Sequence, residues 1–444
     1  MLATKTKRSI FAVTAGLSVA ALALTGCSSS SSNGGANADG SVEISFLTQN
    51  DDTNVGISTA LIDAFEKENP KITVKLDTQP AGTEGDNLMK TKLSTGEMSD
   101  VFFYNSGSLM QALSPDNTLV DLTDQDWVGD TTDDWKAVVS TDNGIYGAPF
   151  GTSFAGAVIY NKKVFADLGL EVPTDWAEFV TLAKKIKSDG NGITPIEQTY
   201  GDTWTSQLFV LADFANVATA DPDWAENYTA NKAKYSDEPA LAGFEHLQEA
   251  FDAGLFNEDF ASATNADGIA ALGAGEAAMY PMLSVSVLST LAQNSPDQIA
   301  DMGVFPLPAD DAANSALTIW QPNALYIPKT TEGAKLDAAK KFVAFANSEA
   351  GCEVQNKNFT AAGPYVTSAC TVPSDAAPMV ADIQTYFDSG KTSPALEFLS
   401  PIKGPNLENI TVEVGSGISD AAKGAAAYDE DVKKQAQQLG LEGW

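Results

Sequence analysis

Residues Gly144–Leu170 restrict the fold of this chain more than any other stretch, because two apolar strands follow each other there across a run of mostly small residues. The first strand is predicted at Ile145–Phe150 and the second at Ala157–Tyr160, with Gly151–Gly156 between them. A helix is predicted over Lys162–Leu168. A chain that passes from one strand to the next through glycine and small residues is a candidate hinge crossing between two compact units.

The chain before this stretch alternates strands and helices. Strands are predicted at Val42–Thr48, Ile72–Leu76 and Val101–Tyr104, and helices at Ile57–Glu68 and Asp86–Leu93. This rhythm predicts an α/β fold whose sheets are mostly parallel and flanked by helices. A chain of about 400 residues is also too long for one typical core, so we expect two lobes.

The N-terminus has the features of an export signal. The basic residues of Lys5–Arg8 precede an apolar core, Ile10–Leu24, that is too short to span a bilayer well. The motif Leu-Thr-Gly-Cys that ends at Cys27 resembles the lipobox of bacterial lipoproteins, in which the cysteine is acylated. Residues 1–26 are therefore predicted to be a lipoprotein signal peptide; an ordinary secretory signal with an incidental cysteine is the alternative.

Residues 27–40 are rich in Ser, Gly and Asn and are predicted to be a flexible tether. Acylation of Cys27 would hold the protein on the extracellular face of the bacterial cytoplasmic membrane. The other two cysteines, Cys352 and Cys370, are an even pair in an extracellular chain, which favours a disulfide over two free thiols. No His or further Cys lies near them, so zinc is not expected.

The charge balance restricts the ligand. Removing residues 1–26 leaves 23 basic against 59 acidic side chains, a net charge of −36, and no arginine, since Arg8 is the only one in the sequence. Such a chain is a poor candidate for binding nucleic acid. It also lacks the bidentate guanidinium that commonly captures carboxylate or phosphate. The ligand is therefore expected to be neutral or cationic, although Lys or a helix N-terminus can also bind an anion.

Several motifs resemble those of one protein family. The runs YGAPFG, IYNKKVFADLGL and PTDWAEF, from Tyr146 to Phe179, resemble the signature of family 1 extracellular solute-binding proteins, the carbohydrate receptors of ATP-binding-cassette importers. SDVFFYN resembles a strand of that family, with Ser99 in place of its proline; GEAAMYPM and MGVFPLP also match family stretches. The resemblance implies a periplasmic-binding-protein-like (type II) fold of two lobes and three hinge crossovers. It also implies a monomeric receptor that has no catalytic residues or cofactor and delivers sugar to a membrane permease and its ATPase.

The resemblance also suggests how the chain is divided between the lobes. Lobe 1 is expected to comprise 41–151 plus 314–348, and lobe 2 to comprise 152–313 plus 349–444. The second crossing is expected at Asp310–Asn314, so that Leu317–Ile327 returns to the first sheet. The third is expected near Asn347–Gly351, which leaves Cys352–Trp444 on the second lobe.

Candidate ligand residues follow from a general rule: in open parallel sheets, ligands bind beyond the carboxyl ends of the strands. The loops at those ends combine flat aromatic rings with amides, hydroxyls and a few carboxylates, which suits the apolar faces and hydroxyl groups of a sugar. The predicted ligand-binding residues are Asn50, Asp51, Asp52, Tyr104, Asn105, Ser106, Thr152, Ser153, Phe154, Asp202, Trp204, Tyr280, Met282, Trp320, Gln321, Pro364 and Tyr365.

Enzymatic motifs are missing from the sequence. It has one histidine, His246, and contains no G-x-S-x-G elbow, phosphate-binding loop, H-E-x-x-H zinc motif or D-x-D-x-D-G calcium loop. We therefore expect a receptor for a neutral sugar, an oligosaccharide, without metal or cofactor. Two alternatives remain open: the same fold binding a cation such as a polyamine, and a surface glycosidase that needs only two carboxylates.

Overall fold

The computed structural model describes residues 36–37 and 39–444. The predicted signal peptide, Cys27 and most of the tether lie outside the described residues. The described chain forms a five-stranded sheet, a six-stranded sheet and a two-stranded ribbon, with helices packed on the sheets.

The strands of the described chain are β1 (Val42–Gln49), β2 (Ile72–Gln79), β3 (Val101–Tyr104), β4 (Ser140–Thr141), β5 (Gly144–Ile145), β6 (Ala148–Phe150), β7 (Phe154–Asn161), β8 (Thr194–Ile196), β9 (Ala277–Leu283), β10 (Met302–Phe305), β11 (Leu317–Trp320), β12 (Asn323–Tyr326) and β13 (Thr392–Pro394).

The α-helices are α1 (Asp52–Glu68), α2 (Gly82–Thr95), α3 (Ser108–Gln111), α4 (Pro115–Thr118), α5 (Asp133–Val138), α6 (Lys162–Leu168), α7 (Trp176–Asp189), α8 (Leu208–Leu211), α9 (Phe214–Ala220), α10 (Trp224–Thr229), α11 (Ala242–Asp252), α12 (Asn265–Ala274), α13 (Ser284–Asn294), α14 (Gly333–Ala346), α15 (Glu349–Asn358), α16 (Pro378–Asp388), α17 (Leu407–Gly415) and α18 (Ala421–Gln438). Short 3-10 helices occupy Asp126–Asp130, Thr203–Gln207, Pro296–Asp301, Ala312–Asn314 and Leu396–Phe398.

Helix starts follow the capping chemistry of the sequence. Asp51 caps α1 by accepting a hydrogen bond from the backbone N–H of Asn54, and Asp175 caps α7 in the same way through Glu178. Thr264 and Asp267 form a reciprocal capping box at the start of α12. Asp175 can cap α7 because its carboxylate reaches the N–H of the third helical residue.

The first sheet has the strand order β2-β1-β3-β12-β6. The pairs of β1 with β2 and with β3 are parallel, whereas β12 pairs antiparallel with both β3 and β6. One face of the sheet packs against α1 and α14 through an aromatic cluster that includes Phe46, Phe65 and Phe342. The opposite face packs against α2, α3 and α5 through Met89, Met110 and other side chains.

The second sheet has the order β13-β11-β7-β9-β8, and β10 also pairs with β7. Its central strand β7 is antiparallel to β9, β10 and β11. Among the described strands of this second sheet, only the pairs β8–β9 and β11–β13 are parallel. The two-lobe α/β fold is thus confirmed, but the expectation of mostly parallel sheets is wrong for this lobe. Because the chain enters and leaves it through crossing strands rather than through βαβ units alone, the sheet is mixed.

The first crossing lies where the sequence predicted a hinge. Strand β6 ends in the first sheet at Phe150, and β7 begins in the second sheet at Phe154. Gly151 between them has φ of +92°, a backbone conformation that favours glycine. The predicted strand Ile145–Phe150 is divided, since Ile145 pairs in the two-stranded ribbon and Ala148–Phe150 in the first sheet.

The second crossing lies later than predicted. Strand β11 remains in the second sheet, paired with β7 and β13, and the chain passes to the first sheet through Gln321 and Pro322. The expectation that Leu317–Ile327 would return to the first sheet, after a crossing at Asp310–Asn314, is therefore wrong for β11. Proline lacks an N–H and interrupts a ladder, which explains why the apolar run divides at this point.

The third crossing also lies later than predicted. Val354 and Phe359, in and just after α15, pack on the core of the first lobe, whereas Ala362 belongs to a core cluster of the second. The chain thus crosses after residue 359 rather than near Asn347–Gly351. Val366 then returns to the first-lobe core, so Cys352–Trp444 does not pack on the second lobe alone. The predicted disulfide between Cys352 and Cys370 is confirmed, with the Cα atoms 5.3 Å apart, and it links α15 to this segment.

Candidate ligand-binding cleft

Buried polar atoms collect at the carboxyl ends of the first-sheet strands. Thr48 of β1 and Gln79 of β2 each bury a side-chain oxygen that has no hydrogen-bond partner among the described residues, and Tyr104 of β3 buries its hydroxyl beside the Asp86 carboxylate. The Gln321 side-chain oxygen at the second crossing is also buried without a hydrogen-bond partner among the described residues. Leaving such a group unpaired costs about 1–3 kcal/mol, so several of them at one edge indicate a surface shaped for a polar ligand.

Asp86, in the first half of α2, faces this edge. Burial raises the pKa of its carboxyl group, while the nearby Tyr104 hydroxyl and the charge of Lys90 oppose the shift. Burial and the Asp86 carboxylate in turn raise the pKa of Tyr104, so its hydroxyl stays protonated and able to donate. The pair offers one strong acceptor and one donor side by side, which is what a sugar hydroxyl requires.

The second lobe contributes an ion pair opposite Asp86. Lys403 Nζ lies 3.0 Å from Glu397 Oε2, and both side chains are largely buried. The positive charge of Lys403 is near enough to lower the pKa of Asp86, and the charge of Glu397 raises it. Since Lys403 compensates one of the two carboxylates, this part of the cleft is less acidic than the chain as a whole.

The two lobes touch beside this group. Gly107 follows β3 with φ of +70°, and a Cβ atom at that position would lie 2.5 Å from the Glu397 carbonyl oxygen and 2.7 Å from the Phe398 ring. Phe398 also packs against the first-lobe cluster that contains Tyr104. The 3-10 helix Leu396–Phe398 thus covers the end of β3, and only a residue without a side chain permits this approach.

Aromatic side chains lie at the end of the second sheet that leads into the crossings. The rings of Phe154 and Trp320 are parallel within 9°, with centroids 6.3 Å apart. The Trp320 indole lies over Gly156, where a Cβ atom would be 2.3 Å from the ring, and only 8% of its surface is exposed. Trp204 is half-buried and packs with Phe154 against a core cluster of this lobe. Phe154 and Trp320 together form an apolar floor of the kind on which a sugar ring rests.

Several predicted site residues form hydrogen bonds between the segments that cross from one lobe to the other. The Ser106 hydroxyl donates to the Pro322 carbonyl, Thr152 accepts a hydrogen bond from the Ala362 N–H, and the Ser153 N–H donates to the Pro364 carbonyl. Nearby, the Asn105 carbonyl accepts a hydrogen bond from the Tyr326 hydroxyl, and the Tyr365 hydroxyl donates to Asn356. These bonds place the hinge segments side by side between the lobes.

Other predicted residues have structural roles. Tyr280 and Met282 are fully buried, and Tyr280 donates a hydrogen bond to Asn265. Such side chains offer a ligand no surface, because the β9 strand that carries them runs through the centre of the second lobe.

The remaining predicted residues are polar groups in loops. Asp51 is committed to capping α1, and both Asp52 and Asn50 are exposed at the same helix start. Asp202 accepts a hydrogen bond from the backbone N–H of Asn265. Of these residues, Asn50 and Asp52 form no side-chain hydrogen bond or salt bridge within the described chain.

Sequence reasoning missed Asp86, Glu397, Phe398 and Lys403. The helix α2 starts at Gly82 rather than at Asp86, so Asp86 was taken as a helix start and not as a side chain facing the cleft. Glu397 and Phe398 lie in a short 3-10 helix with no periodic pattern. The one available signal was the strand β13 just before them, whose carboxyl end reaches the same edge.

No group of metal-ligating side chains is found within residues 36–37 and 39–444. Among the helices of that same range, none combines the length and apolar character needed to cross a membrane.

The comparisons with known proteins agree with this geometry. The chain matches the bacterial extracellular solute-binding protein family over residues 52–351 and therefore belongs to it. It is 27% identical to the multiple sugar-binding protein of Streptococcus mutans over 310 residues, 68% of this chain and 70% of that protein. It is 22% identical to the melibiose/raffinose/stachyose-binding protein MelE of Bacillus subtilis over 392 residues, 86% of each chain.

Solved structures share the fold. A chitin oligosaccharide binding protein superposes with a TM-score of 0.77 at 24% identity, covering 89% of this chain and 99% of that one. The solute-binding protein RafE in complex with raffinose superposes with a TM-score of 0.73 at 22% identity, covering 90% and 100%. The two-lobe architecture is therefore that of solute-binding proteins, a family that binds solutes rather than converting them.

Proposed function

We propose that this protein is the sugar receptor of an ATP-binding-cassette importer, which captures a neutral oligosaccharide between its lobes and presents it to the permease. The main support is the group of buried polar side chains at the carboxyl ends of the first-sheet strands, namely Thr48, Gln79 and the Tyr104–Asp86 pair. Hydroxyl groups of a sugar satisfy such oxygens, while the ring faces cover the aromatics. The sugar-binding names of the relatives support the same ligand class.

The proposal excludes catalysis. Lys403 neutralises Glu397 at 3.0 Å, so Asp86 and Glu397 are not a free pair of catalytic carboxylates. The same compensation argues against a polyamine, which needs uncompensated acids around its ammonium groups. Release of reducing ends from an oligosaccharide by the purified protein, or tighter binding of spermidine than of any sugar, would overturn this choice.

The test is a calorimetric and thermal-shift screen of the mature protein against raffinose, stachyose, malto-, xylo- and chito-oligosaccharides. A true ligand at 100 times Kd stabilises the folded state by about 2.7 kcal/mol.

Asp86→Ala should weaken binding at least tenfold, because Asp86 supplies a charged acceptor. The control is Asp77→Ala, an exposed carboxylate on β2 of the same lobe, which should bind as the wild type does. Equal loss in both variants would contradict the proposed site.

We further propose that Cys27 carries the lipid that holds the receptor on the outer face of the cytoplasmic membrane. The lipobox-like motif and the Ser/Gly-rich residues 28–40 support this proposal. Cys27→Ser should abolish incorporation of labelled palmitate and release the protein into the medium, whereas Ser28→Ala should do neither. A membrane-bound, unlabelled wild-type protein would contradict it.

A further inference from the structure

Asparagine followed by glycine occurs at Asn143-Gly144 and Asn191-Gly192 in the described chain, and at Asn33-Gly34 outside the described residues. Asparagine is chemically labile, because the backbone nitrogen of the next residue can attack its side-chain carbonyl carbon. Glycine in the next position favours this attack, since it has no side chain to block the approach. Both described asparagines are exposed, so exposure does not separate them. They differ in how the fold holds them.

The fold restrains Asn143. Its side-chain amide donates to Asp116 Oδ2 at 2.8 Å, and its backbone N–H donates to the Thr141 hydroxyl at 3.1 Å. Gly144 is paired with Thr141 in the ribbon of β4 and β5. The Asp121 carboxylate also packs on Gly144, where a Cβ atom would lie 2.6 Å from its Oδ1 atom. The Asn143 side chain must therefore break hydrogen bonds of the fold before it can approach the Gly144 nitrogen.

Asn191 has none of these restraints. It lies in the link of residues 190–193 between α7 and β8, and its side chain forms no hydrogen bond or salt bridge within the described chain. Gly192 is exposed, and its N–H donates to no described group. No atom other than those of its chain neighbours would lie within 4 Å of a Cβ atom at Gly192. Water therefore has open access to this dipeptide.

The backbone at this link forms a tight turn. The Ile193 N–H donates to the Gly190 carbonyl at 3.1 Å, and the φ angles of Asn191 and Gly192 are +51° and +97°. These features are those of a type I′ turn, whose hydrogen bond does not involve the N–H of its second central residue. The Gly192 nitrogen is therefore free to lose its proton. The left-handed backbone of Asn191 also costs energy, so this turn resists local rearrangement less than a paired strand does.

The reaction that this arrangement permits needs only water. The Gly192 backbone nitrogen loses its proton to hydroxide and forms a bond to Cγ of Asn191, and the side-chain nitrogen leaves as ammonia. Water then opens the cyclic succinimide at either of its carbonyl carbons, which gives aspartate or isoaspartate. The sum converts an amide and water into a carboxylic acid and ammonia, without oxidant or reductant.

Isoaspartate in this link would strain the second lobe, because it adds one carbon atom to the main chain. The link starts tightly against α7, where a Cβ atom at Gly190 would lie 2.5 Å from the Ile186 carbonyl oxygen. It ends at Ile193, which packs on the second-lobe core. A longer backbone must therefore displace one of these two ends, and the folded state loses stability.

The link lies at the end of the second sheet that is remote from the crossings. Thr194, the first residue of β8, pairs with Ala277 at the start of β9. Gly156, beside the first crossing, pairs with Leu283 at the other end of β9. A change at residue 191 should therefore affect stability without changing the affinity of the cleft.

We propose that Asn191 is a modification site, at which the folded protein deamidates spontaneously to aspartate and isoaspartate while Asn143 stays intact. The modification adds one negative charge to the turn and, as isoaspartate, destabilises the second lobe. This inference is independent of the proposed transport function.

The test is incubation of the mature protein at mildly alkaline pH, followed by mass spectrometry of peptides that report each Asn-Gly dipeptide separately. The Asn191 peptide should exchange its amide for a carboxyl group at least about tenfold faster than the Asn143 peptide, because hydrogen bonds that include one to a carboxylate hold Asn143. In urea, where neither asparagine is held, the two peptides should convert at similar rates. An isoaspartyl methyltransferase with labelled S-adenosylmethionine detects the isoaspartate product.

Variants assign the loss of stability to this site. Incubation should lower the melting temperature of the wild type but not that of Asn191→Gln, since glutamine would have to form a larger ring and reacts much more slowly. Asn143→Gln is the matched control: incubation should still convert Asn191 and lower the melting temperature of this variant.

The rates in folded and unfolded protein decide the proposal. Equal conversion of Asn143 and Asn191 in the folded protein would show that the fold does not select the site. An Asn191 that converts in urea but stays intact in the folded protein would show that the turn protects it, and would refute the proposal. A melting temperature that falls equally in Asn191→Gln would place the damage elsewhere in the chain.

Discussion

Glu197, just beyond β8, is a carboxylic acid that its surroundings keep largely protonated near neutral pH. Its side chain is buried, and desolvation together with the carboxylates of Asp259 and Asp267 raises its pKa to about 8. The ordinary value near 4.5 applies in the unfolded chain. The folded state thus binds a proton more tightly than the unfolded state, and stability falls as pH rises from about 4.5 to about 8.

Glu197→Gln should therefore stabilise the protein in a pH-dependent way. The variant should match the wild type below pH 4.5 and gain stability as pH increases, up to about 5 kcal/mol near pH 8, because the neutral amide does not lose a proton. Urea unfolding at a series of pH values measures the difference. The exposed Glu258→Gln is the control and should show no such trend. A constant offset across the range would contradict the assignment.

At the scale of single residues, the sequence predicts residue types better than it predicts their roles. Tyr280 and Trp320 both lie in apolar strands, yet one is a core side chain and the other lies at the cleft floor. The difference depends on Gly156, which leaves room for the indole on a neighbouring strand, and strand pairing is not visible in the local pattern. Asp51 was predicted to bind ligand, but the hydrogen bond that it accepts from the Asn54 N–H makes it a helix cap.

At the scale of elements, the contact between Gly107 and the 3-10 helix Leu396–Phe398 predicts a specific defect in closure. Gly107→Ala should weaken sugar binding about tenfold, since the new methyl group would meet Glu397 and Phe398 and hold the lobes apart. Gly96→Ala is a matched control: its φ of +74° carries similar backbone strain, but its Cβ would lie at an ordinary 3.6 Å from Thr330 within lobe 1.

Calorimetry gives the affinities of the two glycine variants, and small-angle scattering gives their dimensions with ligand. Gly107→Ala should remain more extended than the control in saturating sugar. Equal affinities in the two variants would show that this contact plays no part in closure.

The disulfide between α15 and the segment after the third crossing should contribute mainly to stability. The loop spans 18 residues, and closing a loop of that size stabilises a fold by about 3 kcal/mol. Cys352→Ala/Cys370→Ala should lower the free energy of unfolding by that amount, measured in urea, and the wild type in reductant should approach the variant. A midpoint that reductant leaves unchanged would contradict a formed bond.

Element boundaries illustrate what the sequence could not supply. The helix at Lys162–Leu168 and the strand at Val101–Tyr104 were predicted with the bounds that the structure has, because glycine, asparagine or aspartate marks their ends. The run Leu317–Ile327 was predicted to return to the first sheet as a whole, although β11 and β12 belong to different sheets. Apolar periodicity is the same on both sides of Pro322, so it contains no information about which sheet receives each half.

At the scale of the whole molecule, the charge should make stability depend on salt. The sequence has 26 basic and 59 acidic side chains, a net charge of −33, and the mutual repulsion of the acids opposes the compact state. Raising NaCl from low ionic strength to about 0.5 M should increase the melting temperature, because the Debye length shrinks to a few ångströms. A melting temperature that stays flat or falls over this range would contradict net repulsion.

The two-residue link between β11 and β12 limits how one half of the receptor can travel relative to the other. The three residue steps from Trp320 to Asn323 reach at most about 11 Å, so these two residues stay close throughout any rearrangement. The lobes can then move only by rotating about this link, which acts as a pivot, and the displacement of an atom grows with its distance from the pivot. The separation of two fluorophores placed beside the pivot would not change when sugar binds. A pair on the exposed Leu88 and Leu399, which flank the cleft, would turn the protein into a reagentless optical sensor.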